Sequence, residues 1–207
     1  KKKIGSSNYF SSIEERQGCI VVNSLQPNLS LGTDSSLLEY DDVMRLTGTP
    51  PEVFLKLSYR NINLGDLHIR LDGLPGHVQQ FLELSTGSRG RGSYKGARIE
   101  NIYNKGYPGE NLHCDGFINA YGSRESSAIC KVEDGTVDTP VVEGIVFGYN
   151  GKPACFTIVT IGYSGSWPYP VIGHVTSGMT ELKAAVKKYG DRDIVFSESG
   201  VIIDGSV

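Results

Sequence analysis

From Val53 onward apolar residues recur at every second position: Val53, Leu55, Leu57 and Tyr59 are followed, after a turn around Asn61–Asn63, by Leu67, Ile69 and Leu71. That period of two predicts a β-hairpin. The period then lengthens. Val78, Phe81, Leu82 and Leu84 form a stripe on a helix entered by Pro75 and ended by Gly87. The glycine-rich stretch from there to about Ala120 reads as irregular. Strands are predicted at Ser127–Val132, Gly144–Tyr149, Ala154–Ile161 and Val171–Val175. A second helix over Met179–Tyr189 stops at Gly190, and a last strand runs from Ile194 to Ile203.

The first fifty residues differ. Cys19-Ile20-Val21-Val22 reads as a short strand, and Ser36 stands three residues before Glu39, the spacing of a capping box. With Leu37, Tyr40 and Met44 on one face and Gly48 as the stop, this predicts a helix of about ten residues between Ser36 and Thr47 that packs on the rest of the protein, because an isolated helix of that length is marginal in water. Thr49-Pro50-Pro51 breaks the chain. The division expected is an N-terminal extension over 1–50 and a domain over 51–207. Hairpin, helix, several strands, helix and strand suggest a mainly β fold, a closed barrel with one helix capping each end.

Composition narrows the classes. Apolar residues make up 39% and charged residues 21% of the 207, enough to build a core and too little charge to keep the chain open. No run approaches the ~18 apolar residues of a membrane span. A net charge of -3 argues against a protein that binds polyanions with its whole surface. Four scattered cysteines without a C-x-x-C pair read as reduced core residues of an intracellular protein, cytoplasmic or nuclear. The chain opens on Lys1, as a piece cut from a longer protein would. Twenty-six glycines imply many tight turns between short strands.

Several strings, in their shared order, resemble the cyclophilin family of peptidyl-prolyl isomerases. Phe54 to Leu71 is similar to the family's opening hairpin and Leu74-Pro75-Gly76-His77-Val78-Gln79-Gln80-Phe81 to its first helix. Ser85-Thr86-Gly87, Tyr94-Lys95-Gly96, Gly144-Ile145-Val146, Phe156 with Ile158 and Thr160, Gly173-His174-Val175 and Gly178-Met179 match later strings. The resemblance covers Pro51 to Ile203 and implies a closed antiparallel eight-stranded barrel capped by two α-helices, with the extension and its short helix added. It also implies a peptide groove, in which an arginine stabilises the twisted prolyl amide while phenylalanines and a methionine hold the ring. The barrier to be lowered is about 18–20 kcal/mol.

The groove positions depart from that pattern. Asn101 stands where the family's catalytic arginine is counted, and it cannot supply a guanidinium fork. Tyr107 lies in a stretch that does not match the family's phenylalanine and methionine. Thr157 replaces the phenylalanine that floors the proline pocket, beside Phe156. Tyr149 replaces a small residue next to Asn150, which matches the asparagine that binds peptide backbone, and it has the bulk to fill the groove. Tyr169 falls at the family's histidine, with Trp167 a shifted match for its tryptophan. Arg98, three residues before Asn101, is expected on the other face of its strand.

The reading is therefore a barrel that has lost isomerase activity, with no catalytic residue, no metal and no cofactor, and that binds a protein or peptide, including one containing proline. The rival reading is a working isomerase with a rearranged pocket. A third is RNA binding through the loop from Arg89 to Lys95, where five basic residues face two acidic ones between residues 81 and 105. His113-Cys114-Asp115 has the wrong spacing for zinc. Trp167, Tyr163 and Tyr169 form an aromatic recognition surface, and His68, His77 and His174 read as hydrogen-bonded surface or core groups.

Overall fold

A computed structural model describes residues 1–4, 6–16, 19–27, 38–48, 50–190 and 193–203. The N-terminal part holds β1 (Lys2–Ile4), β2 (Ser7–Tyr9), β3 (Ile13–Arg16), β4 (Cys19–Asn23) and α1 (Tyr40–Met44). The rest runs β5 (Glu52–Tyr59), β6 (Ile62–Arg70), α2 (Pro75–Thr86), β7 (Gly92–Ser93), β8 (Ile99–Tyr103), β9 (Asn111–Cys114), β10 (Phe117–Asn119), β11 (Arg124–Glu125) and β12 (Thr139–Pro140). It continues with β13 (Ile145–Gly148), β14 (Phe156–Val159), β15 (Ser166–Trp167), β16 (Val171–Ser177), α3 (Met179–Tyr189) and β17 (Ile194–Ile203).

The architecture is mainly β with three helices, but the expected closed eight-stranded barrel is not found. The main sheet has ten strands in the order β3-β4-β17-β5-β6-β16-β13-β14-β9-β8. The count rises because β17 pairs along both edges and so carries two N-terminal strands into the sheet. Its last four residues pair with β4, which brings β3 with it, while Ile194 to Ile202 pair with β5 on the other edge. The far strand β8 does not close on β17 through a ladder. A single bridge, Arg98 to Val195, joins them, with Phe196 N–H donating to the Ala97 carbonyl at 2.8 Å.

Period-two residues fill the centre. Val53, Leu55, Leu57, Leu67, Ile69, Phe156, Ile158 and Phe196 are fully or almost fully buried, and α2 and α3 add Phe81, Leu84, Leu182, Ala185 and Val186. At about 25 cal/mol per Å2 of apolar surface, such burial is the main stabilising term. A smaller cluster of Val22, Val43, Val201 and Ile203, with Met44 and Leu82, holds α1 against the sheet. Within the N-terminal segment β3 and β4 are strands of the main sheet, β1 and β2 pair with each other in a separate two-stranded sheet, and α1 packs on the main sheet.

Three expectations need correction. The helix between Ser36 and Thr47 is five residues, Tyr40–Met44; Glu39 is its N-cap and makes no side-chain cap bond. Ser36 and Leu37, the other half of that motif, lie outside the described residues. Ser127–Val132 is not a strand, because Ile129 N–H is taken by the side chain of Gln80 at 3.0 Å instead of by a neighbouring strand. The glycine-rich stretch up to Ala120 is not irregular: it contains β7, β8, β9 and β10. Positive φ at Gly92, Gly96, Gly106, Gly109 and Gly116 turns the chain between strands too short to show a pattern.

Candidate functional site: an aromatic row on the outer sheet face

Strand alternation builds this site. In β13, Val146 faces the main core while Ile145 and Phe147 face out, where they join Val141 and Val159 in a second small cluster under Trp167 and Val171. In β14, Phe156 and Ile158 face the core and Thr157 faces out. Register then lines up four strands: Phe147 opposite Thr157, Thr157 opposite His113, and His113 opposite Asn101. These outward residues sit in one row across β13, β14, β9 and β8.

Aromatic rings continue the row. His113 meets Tyr103 at 6.2 Å between centroids and Tyr149 at 5.2 Å, the latter edge-on. Tyr149 meets Tyr169 at 5.3 Å, Tyr169 meets Trp167 at 6.1 Å, and Trp167 meets Tyr163 at 6.2 Å. Phe147 packs beneath at 5.4 Å from Trp167. Tyr103, Tyr163 and Tyr169 are exposed at 49%, 38% and 37%, so the rings present a usable face rather than an interior. Gly165 helps to fix this geometry, since a Cβ there would lie 2.2 Å from the Tyr163 ring.

A polar network lies under the rings. The Tyr149 hydroxyl and the Thr157 hydroxyl are 2.7 Å apart, and Thr157 is also 3.5 Å from His113 Nδ1. Burial pushes the Tyr149 phenol up and holds His113 below its ordinary value, while Asp115 opposes the shift of His113 from 4.0 Å. The Cys155 thiol donates to Asp115 at 3.2 Å, and Lys152 stands 3.7 Å from the same carboxylate. That thiol bond leads the causes that keep Asp115 below the usual range. Burial first, then Asp115, pushes Cys155 up to about 12, so it stays a protonated thiol and no nucleophile. Among the described residues no three His, Cys, Asp or Glu side chains converge as a metal site.

The residues singled out from sequence separate into groups. Asn101, Tyr149, Thr157, Trp167 and Tyr169 come together on the row. Asn150 is exposed beside it and bonds Gly135, accepting from its N–H at 3.3 Å and donating to its carbonyl at 3.4 Å. Tyr107 is 72% exposed in the 104–109 turn. Phe156 is fully buried on the opposite face, against Phe81 and Tyr94. Tyr103, Phe147 and His113 also belong to the row, which the family resemblance does not mark as groove positions. An outward period of two through Asn101 and Tyr103 was the available signal, masked by the glycines around it.

Arg98 does not lie where parity put it. A bulge between Ile99 and Asn101 interrupts the alternation, so Arg98 and Asn101 are both exposed while Ile99 is buried. The Arg98 guanidinium is held by Glu100 at 2.6 Å, and Glu100 also takes Arg124 at 2.5 Å. In the basic loop, Arg89 forms two hydrogen bonds to Glu83, at 2.8 and 2.7 Å.

No family model matches the chain, and no curated protein matches it. Among solved structures it is similar to the Mimivirus cyclophilin, at 18% identity and a TM-score of 0.48, over 77% of this chain and 93% of that one.

Proposed function

We propose that this chain is a catalytically inactive, cyclophilin-like domain that serves as a protein-interaction module in a larger intracellular protein, and that the aromatic row is its binding face. One observation carries the reading. Where the family resemblance calls for a phenylalanine floor and a catalytic arginine, Thr157 is covered by its bond to Tyr149, and Asn101 is an exposed neutral side chain. Partly exposed tyrosines suit protein recognition, because they bury large area on binding at small cost in side-chain entropy.

The alternative, an active isomerase with a rearranged pocket, draws on the bulge at Glu100, which leaves Arg98, the residue before β8, exposed as Asn101 is. Its ion pair with Glu100 would have to open for it to serve a prolyl amide. RNA binding through the 89–95 loop draws on Arg91 and Lys95, while Arg89 is engaged by Glu83.

A pull-down from cells compares the natural chain with a Tyr103→Ala, Tyr169→Ala double variant. A protein retained by the first and lost by the second is the expected result. The same proteins on both would reject the row as the binding face.

A further inference from the structure

The turn between β13 and β14 carries the one Asn-Gly pair of the sequence, Asn150-Gly151, and both residues are exposed. Gly151 has a φ of 76°, a conformation that glycine adopts without strain, and nothing lies within 4 Å of where its Cβ would be. Its N–H donates to no group among the described residues. This backbone nitrogen is therefore uncovered, and the chain itself keeps it within ring-closing reach of the Asn150 amide carbon.

That amide has a structural task. Its oxygen accepts from the Gly135 N–H at 3.3 Å and its nitrogen donates to the Gly135 carbonyl at 3.4 Å. The two bonds tie down residues 131–137, which lie in no helix or strand. This stretch rests on the start of α2: a Cβ at Gly135 would come 2.7 Å from Leu74 Cδ1, and one at Gly76 would come 3.4 Å from the Glu133 nitrogen. Bonds of such length are at the weak end of the range, so they leave the Asn150 side chain able to turn back on its own backbone.

We propose that Asn150 is a site of spontaneous deamidation, and that its conversion releases the 131–137 stretch from the β13–β14 turn. The Gly151 nitrogen, its proton taken by hydroxide, attacks the Asn150 side-chain carbon. The new C–N bond closes a succinimide ring, and Nδ2, taking a proton from water, leaves as ammonia. Water then opens the ring at either carbonyl. The net reaction consumes one water and leaves aspartate, or isoaspartate with a backbone longer by one carbon. Either product has lost the donor to the Gly135 carbonyl, and it adds a carboxylate on the side of Asp134, the neighbour of Gly135.

The test incubates the whole chain in mildly acid and in mildly alkaline buffer and follows every asparagine by peptide mapping and mass spectrometry. Asn150 is expected to convert to the acid several-fold faster than any other asparagine, and faster in the alkaline buffer because the attacking nitrogen must first lose its proton. Gly151→Ala, in open space on an exposed turn, should slow the conversion several-fold, since a methyl group hinders the attack. Hydrogen exchange at Gly135 should be several-fold faster in Asn150→Asp than in the fresh natural chain. Conversion of Asn150 no faster than that of the other asparagines would overturn the site. Exchange at Gly135 that is the same in Asn150→Asp as in the natural chain would overturn the release.

Discussion

The hydroxyl of Tyr149 lies 2.7 Å from that of Thr157, and this contact decides what the outer face of β13 and β14 can accept. Thr157 is only 2% exposed, so its hydroxyl has little access to water and depends on Tyr149, with His113 further off at 3.5 Å. Tyr149→Phe should therefore destabilise the protein by about 1 kcal/mol, the typical net worth of a hydrogen bond. Urea denaturation monitored by circular dichroism checks this; an unchanged midpoint would mean that water or His113 replaces the phenol.

Phe156 and Thr157 are consecutive in sequence and opposite in role. Phe156 is fully buried and packs edge-on against Phe81 at 5.0 Å and Tyr94 at 5.1 Å. Phe156→Ala should cost about 3–5 kcal/mol, as large-to-small changes in a packed core do. Tyr169→Ala, at a 37% exposed position, should change stability far less while weakening partner binding. Equilibrium unfolding of both variants separates a folding residue from a binding one.

Gly173 is required by its neighbour's backbone. A Cβ at this position in β16 would lie 2.0 Å from the Arg70 carbonyl oxygen of β6, and strands in a ladder cannot part locally without losing hydrogen bonds. Gly173→Ala should destabilise by about 3 kcal/mol or more. A thermal melt within a degree of the natural chain would contradict the close approach.

Acid should weaken the fold through His77. Both ring nitrogens are buried without partners in the first turn of α2, with Nδ1 facing the backbone of Gly148. Burial holds the imidazole below its ordinary 6.5, and Asp134, the charged group that opposes the shift, does not cancel it. The unfolded chain then takes up a proton more readily than the folded one. The stability this group contributes is complete above about pH 6.5 and is lost as pH falls from there through the folded value. His113, also lowered by burial, adds to the loss in the same direction. His77→Leu should flatten the fall measured by urea midpoints between pH 7.5 and 5; an unchanged slope would assign the loss to other groups.

Much of the scaffold was legible in the sequence, for a physical reason. The hairpin β5–β6, the helices α2 and α3 and the strand β17 are long enough for several repeats of their period, and Pro75, Gly87 and Gly190 punctuate them. Where elements shrink to two to five residues, as in β7 to β10, a period has no room to appear and glycine dominates the reading. The capping-box pattern at Ser36 and Glu39 gave a helix longer than the five residues found because the helix is fixed by contacts of Val43 and Met44 with Val22 and Val201, not by local preference. Of the site, Tyr149, Thr157, Trp167, Tyr169 and Asn101 were legible through a family resemblance. His113 and Tyr103 were not, because only the register of β8 on β9 brings them to the same face. The bulge at Glu100 was equally hidden, and with it the exposure of Arg98.

The most direct test is the rate of cis–trans isomerisation of a proline-containing tetrapeptide with the purified chain. The account predicts the uncatalysed rate, because Asn101 offers no positive charge to the prolyl amide, Arg98 is held by Glu100 and the threonine floor is covered by Tyr149. Acceleration well above that rate, abolished by Arg98→Ala or by substituting Asn101, would contradict it.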